Sequence, residues 1–329
     1  MKKLLFVLSI VAVFVLSACS NTENSSSTSS EDGEKPQLNI GYVSILANAP
    51  GIVADKNGAF NEKLTAETYG FNSGPELYQA LASGDLDVAY AGIPALVNWS
   101  SRGLPVKVIS KVSEGKVGVV VNKDSGITSV KELKGQVLAG VKSGSGVDII
   151  TRGLILPDAG LTPSDLSIQE FDQTNIEPAV DSGQAQAGVL NEPFLTYSLL
   201  RGKEQIAEEN DPALVVVVSE DALKNKPEAV KAFMDVHQST IDDLNEDQDK
   251  ANKVLVDAFN IGEVEDVSPE EVIAKAKEKM TYEWQFDDDD FEYYQQLADA
   301  AYDLGYVDKE VDVKKLMDLS VVDGVMKSE

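Results

Sequence analysis

The chain of 329 residues has one cysteine, one histidine and two tryptophans. With Cys19 its only thiol, it forms no intrachain disulfide, and stability rests on an apolar core. The only imidazole, His237, sits among Val230, Phe233, Met234 and Val236 at near-helical spacing, which makes it a helix residue, packed or at the surface, rather than a catalytic base. No cluster has metal-ligand spacing, and the run Asp287–Asp290 lacks the glycine and spacing of a calcium loop. Those aspartates suit a helix start, where carboxylates oppose the macrodipole favourably. Positive charge is scarce too: 28 Lys and Arg against 55 Asp and Glu leave a net charge of −27. That balance excludes nucleic acid as a partner and opposes adhesion of the body to anionic lipid. Beyond the first nineteen residues, no apolar run is long enough to cross a bilayer.

The apolar stretch within those first residues is itself too short for a stable membrane span. Lys2 and Lys3 precede an apolar run from Leu4 to Leu16, and Leu16-Ser17-Ala18-Cys19 follows. A basic start, a short apolar stretch and small residues before a cut site make a secretory signal. Cys19 stands where a bacterial lipobox places its lipid-modified residue, so residues 1–19 are expected to be a signal peptide and Cys19 a lipid anchor. Residues 20–36 are rich in Ser, Asn and acids and have too little apolar surface to offset the entropy of ordering. They are expected to form a tether. The expected location is the outer face of the cell membrane, with a Gram-positive cell as the favoured source.

From residue 37, short apolar strands alternate with helix-like segments. Strands are predicted over 38–43, 64–69, 86–91 and 106–111, with helices starting near Gly51, Pro75 and Pro94. The plan repeats, with strands at 117–122, 136–141, 166–171 and 185–190 and helices over 147–159, 176–181 and 193–200. Alternation of this kind predicts an α/β fold with a mostly parallel sheet covered on both faces. Ser83-Gly84 and Ser182-Gly183 each end a helix, precede an alternating strand, and lead to a proline-entered helix at Pro94 and Pro193. This weak internal similarity suggests two related lobes. After the strand at 214–218 the chain turns helical, and those helices are expected to pack back on the first lobe. The division is then 37–121 plus 212–329 for the first lobe and 122–211 for the second. Two crossings, near Asn122 and Asp211, would form a hinge that closes around a ligand.

Gly41-Tyr42, Ala49-Pro50-Gly51, Gly58-Ala59-Phe60, the stretch from Ala80 to Ala89 and Gly92-Ile93-Pro94-Ala95 carry a family resemblance. It continues through Val130–Gly135, Gly144-Ser145-Gly146 and Asn191-Glu192-Pro193-Phe194 to Trp284, Leu304-Gly305-Tyr306 and Val311-Asp312-Val313. In order and spacing the chain resembles solute-binding proteins of ABC importers in the nitrate/sulfonate/taurine group. The resemblance implies the type II periplasmic-binding-protein fold and capture of a small sulfonate-type solute by lobe closure. It implies delivery to an ABC permease and its ATPase, no cofactor, no catalysis and a monomer. Relatives that bind thiamine-precursor pyrimidines leave a planar heterocycle as the alternative solute. A pyrimidine-forming enzyme of the same fold is the rival class, and the sequence offers it neither nucleophile with base nor metal cluster.

In such a fold the ligand sits where loops leave the carboxyl ends of strands. The candidate site residues are therefore Ser44, Leu46, Gly92, Ile93 and Pro94 in the first lobe, and Ser143, Gly144, Ser145, Gly146, Asn191 and Glu192 in the second. Glycines at a helix entry let backbone N–H groups approach an anion. Glu192, if it faces the cleft, would repel a bare anion and suit a solute with an ammonium end, such as a zwitterionic sulfonate. Arg152 is expected to serve the surface. Tyr42, Tyr90, Trp99 and Phe194 are candidates for stacking on a planar solute, although each is more often core.

Overall fold

The structure, a computed structural model, describes residues 35–246 and 249–321. The expected signal peptide, Cys19 and most of the expected tether lie outside the described residues. The described residues form one compact unit.

The first lobe opens with β1 (Gln37–Val43), α1 (Ala49–Lys56), α2 (Ala59–Lys63), β2 (Thr65–Phe71), α3 (Gly74–Ser83), β3 (Val88–Gly92) and α4 (Ile93–Ser101). Proline in the first turn of α1, α3 and α4 fits positions whose N–H has no helical acceptor. Gly84 caps α3 in the left-handed conformation at φ 82°, which a side chain would strain. β4 (Val106–Asn122) then leaves the lobe.

The second lobe holds β5 (Val137–Gly140), then α5 (Gly146–Ile150), which runs through a π-helical turn into α6 (Leu156–Asp158). It continues with β6 (Ser167–Glu170), α7 (Gln173–Asp181), β7 (Ala187–Asn191) and α8 (Phe194–Leu200). β8 (Lys203–Ser219) runs back to the first lobe. The remaining elements are α9 (Glu220–Asn225), α10 (Pro227–Glu246), α11 (Asn252–Phe259), α12 (Pro269–Lys277), β9 (Thr281–Tyr282) and α13 (Asp288–Asp303).

The strand order is β2-β1-β3-β8-β4-β7-β5-β6, with β9 on β4. β2-β1-β3 and β6-β5-β7 are parallel sets with the same order within each lobe, the symmetry that the paired Ser-Gly turns suggested. The sheet is less parallel than expected, because β4 and β8 run antiparallel to each other and to their other neighbours. The predicted strands at 106–111 and 117–122 are one 17-residue strand. The polar break between them is where the ladder with β8 shifts register, between Val108 and Gly115, and such bulges bend a strand pair. Val117–Val121 pair with β7, so this stretch belongs to the second lobe's sheet and not to the first lobe, as a division at 122 had it. β8 also starts earlier than the apolar run at 214–218 indicated, because its first half is acidic and lies toward solvent.

The late helices do more than cover the first lobe. α10 packs on α1 and α2, but α12 reaches α8, and α13 lies on α4 while touching the π turn of the second lobe. Gly153 permits that contact, since a Cβ there would stand 2.7 Å from the Ala300 Cβ.

Candidate functional site

A hollow of about 100 Å³ lies between the lobes at the carboxyl ends of the strands. Loops after all six parallel strands reach it: Val43 and Ile45 after β1, Ser73 and Gly74 after β2, Gly92 and Pro94 after β3, Ser145 and Gly146 after β5, Asp172 and Gln173 after β6, and Asn191 at the end of β7. Four helices, α3, α4, α5 and α7, start at its wall. The first N–H groups of a helix have no acceptor within it, and the macrodipole adds positive potential there. These helix starts therefore bring positive potential to the wall of the hollow.

The wall also carries polar atoms with no partner among the described residues. Ser73 Oγ, Gln173 Oε1 and Asn191 Oδ1 are buried and unbonded. Ser73 and Asn191 are each only 8% exposed. Buried polar groups are nearly always satisfied, so three open ones around one hollow point to a bound solute or water. At the mouth, Lys142 Nζ lies 3.0 Å from Glu76 Oε1 and ties the second lobe to the first. Asp211, on β8 between the lobes, also lines the hollow. Burial, with a smaller contribution from Glu209, pushes its carboxyl up to about 6.

Gly92, Pro94, Ser145, Gly146 and Asn191 are brought together around the hollow. The other candidates lie just behind it. Ser44 donates its N–H to the Phe71 carbonyl, while its neighbours Val43 and Ile45 face inward. Leu46 and Ile93 are fully buried in the core. Ser143 Oγ pairs with Tyr306 Oη at 2.8 Å, and Gly144 N–H donates to Asp148 Oδ2 at 2.9 Å. Glu192 is turned away: its carboxylate accepts from Thr196 N–H and Oγ1 and meets Lys279 Nζ at 3.1 Å. Burial raises the Glu192 carboxyl, and Lys279 and Thr196 oppose that shift. Its carbonyl accepts the Leu46 N–H, which gives a second tie between lobes. Arg152 pairs with Asp148, Nε to Oδ1 at 2.6 Å. Tyr42, Tyr90, Trp99 and Phe194 pack in or against the core, and among the described residues the hollow's one aromatic wall residue is Phe171.

Ser73, Gln173 and Asp211 were missed. The strand-end rule that selected the other loops, applied to β2 and β6, finds the first two. Asp211 lies in the acidic run Glu208-Glu209-Asn210-Asp211, which looks like solvated surface, and only its place at the crossing between lobes marks it. A larger, open groove of about 1150 Å³ runs between α13 and the segment 152–163, away from the strand ends.

Two α/β lobes joined by paired crossing strands, with a polar hollow at the strand ends, define the type II periplasmic-binding-protein fold. The chain belongs to the NMT1/THI5-like family, whose model matches residues 48–251. A protein of Bacillus subtilis named as a putative aliphatic sulfonates-binding protein is 26% identical over 97% of this chain and 95% of its own length. Among solved structures, the alkanesulfonate-binding protein SsuA of Xanthomonas axonopodis pv. citri, bound to MOPS, is similar at a TM-score of 0.72 and 21% identity, over 86% of this chain and 98% of that one. The nitrate-binding protein NrtA of Synechocystis PCC 6803 has the same fold at a TM-score of 0.72 and 16% identity, over 90% and 89% of the two chains.

Proposed function

We propose that this protein is the extracytoplasmic receptor of an ABC importer, and that it captures a small sulfonate-type anion between its lobes. The observation that carries this is the hollow ringed by four helix starts and three unpartnered buried polar atoms. Helix N–H groups and hydroxyls match sulfonate or nitrate oxygens. The relatives named as binding proteins support the same reading.

The lobes move about the bulged centre of β4 and β8, and the closed form docks on a permease whose ATPase drives uptake. Residues 20–36 tether the body to lipidated Cys19 on the outer face of a Gram-positive membrane. That tether raises the receptor's effective concentration near the permease without a new contact. Metabolic labelling with a fatty-acid analogue tests the anchor, and label that persists in Cys19→Ser rejects it.

A thermal-shift titration against alkanesulfonates, taurine, nitrate and aminopyrimidines tests the solute class. A ligand at about 100 times its Kd adds roughly 2.7 kcal/mol of stability. The expected result is a saturating shift with a sulfonate. A shift with aminopyrimidines alone moves the protein to the heterocycle-binding branch, for which the wall offers one stacking face, Phe171.

A further inference from the structure

We propose, building on the solute-binding reading above, that Tyr306 is a positioning residue of the solute site: its hydroxyl, carried by chain anchored on the first lobe, sets the Ser143–Gly146 loop of the second. Leu304-Gly305-Tyr306 closes α13. Gly305 is left-handed at φ 76°, and the Tyr306 N–H turns back to the Ala301 carbonyl at 2.9 Å, so the helix stops there. α13 lies on α4, and the chain beyond it is bonded to the first-lobe end of β4. Asp318 N–H donates to the Val108 carbonyl at 2.8 Å, and Lys107 Nζ donates to the Lys315 carbonyl at 2.8 Å.

From that anchor Tyr306 reaches the loop after β5. Its Oη lies 2.8 Å from Ser143 Oγ and donates to Asp148 Oδ2 at 2.5 Å. The same Oδ2 accepts the Gly144 N–H at 2.9 Å, while Oδ1 accepts Arg152 Nε at 2.6 Å. Asp148 donates its own N–H to Ser145 Oγ at 3.4 Å, and the Ser145 N–H donates to the Lys142 carbonyl at 3.1 Å. One buried carboxylate thus gathers the tyrosine, the turn and a counter-charge, and bonds to an ionised acceptor are the strong ones. Gly144 is left-handed at φ 78° and leads the chain to Ser145, Gly146 and Val147, which line the hollow. Tyr306 is not among the residues that line it, so the tyrosine acts through Asp148 and the turn.

The test is Tyr306→Phe, which removes the hydroxyl and keeps the ring, in the chain from Ser20 onward. Amide exchange followed by NMR should quicken about tenfold at Gly144 and Ser145 and stay unchanged in β1 and β7. Calorimetric titration with ethanesulfonate and with taurine should show affinity falling about tenfold for whichever binds. Asp148→Asn should reproduce both effects, and adding Tyr306→Phe to it should cost little more, because the two residues act as one unit. Tyr302→Phe, exposed on the same helix, should change neither. Exchange unchanged at Gly144 and Ser145, quickened throughout the protein, or quickened at the loop with affinity intact overturns the proposal and leaves the sulfonate reading standing. Wild-type protein silent to both sulfonates overturns that reading instead, and the exchange rates then decide the role of Tyr306 by themselves.

Discussion

Lys142 on the second lobe and Glu76 on the first meet at 3.0 Å across the mouth of the hollow. Both side chains are close to half exposed, at 49% and 43%, so solvent screens the pair. Glu76→Gln is expected to weaken solute binding by no more than about fivefold, since an exposed ion pair contributes up to about 1 kcal/mol. Stopped-flow dissociation should show the change as a faster off-rate, and 0.5 M salt should erase the difference.

Lys111 is a different case. Its ammonium is fully buried at the bulged centre of β4, 2.6 Å from Glu114, Glu283 and Asp290. Burial alone would push Lys111 down, but the three carboxylates more than reverse that and hold it above the usual lysine range. Glu114 and Glu283 are over a third exposed, whereas Asp290 is buried, so Asp290 is the partner that matters. Lys111→Met strands that carboxylate and is expected to cost about 3–5 kcal/mol in urea unfolding. The double variant with Asp290→Asn should recover part of the loss.

Two buried groups set opposing pH slopes. His237 sits between Tyr90 Oη and the Lys111 carbonyl, and burial pushes it down to about 4 from 6.5. Its neutral form is favoured by folding, so its contribution is whole above about pH 6.5 and is lost as pH falls toward 4, on the order of 3 kcal/mol. Asp211 is raised from 3.8 to about 6, so folding favours its protonated form, and stability declines as pH rises through that window. Asp211→Asn is expected to gain about 2–3 kcal/mol at pH 7 and little at pH 4. The variant should then show the acid slope of His237 that the opposing slope masks, measured by urea unfolding between pH 4 and 7.

Gly188 in β7 lies under α7. A Cβ there would be 2.5 Å from Ile176 Cγ2 and 3.1 Å from Val180 Cγ2. Gly188→Ala is expected to destabilise by about 1–3 kcal/mol through overpacking. Solute affinity should hold, because the clash is on the helix-covered face and not at the strand ends. A tenfold loss of affinity in the folded variant would contradict that separation.

The α/β plan was legible because apolar runs and proline-led helix entries coincide in most units, as at Leu86–Pro94. What the sequence hid is non-local. β4 looks like two strands because Ser110, Lys111, Ser113 and Glu114 interrupt it, and these are buried or bonded only once Trp284, Glu283 and Asp290 arrive from far along the chain. The loops of the site followed from strand ends, but side-chain direction did not. Glu192 seemed poised for a solute, yet Lys279, 87 positions later, takes it up. Asp211 gave no local signal, because what makes it unusual is its burial on β8 between the lobes, and burial is a property of the folded environment.

β4 and β8 bond to each other along nearly their whole length. The joint between lobes is thus a ribbon and not a pair of loose linkers, and its compliance is torsional: it twists without parting. Amide protons on its bonded residues should exchange as slowly in the open receptor as in the closed one. The fast-exchanging amides are expected at the helix starts around the hollow.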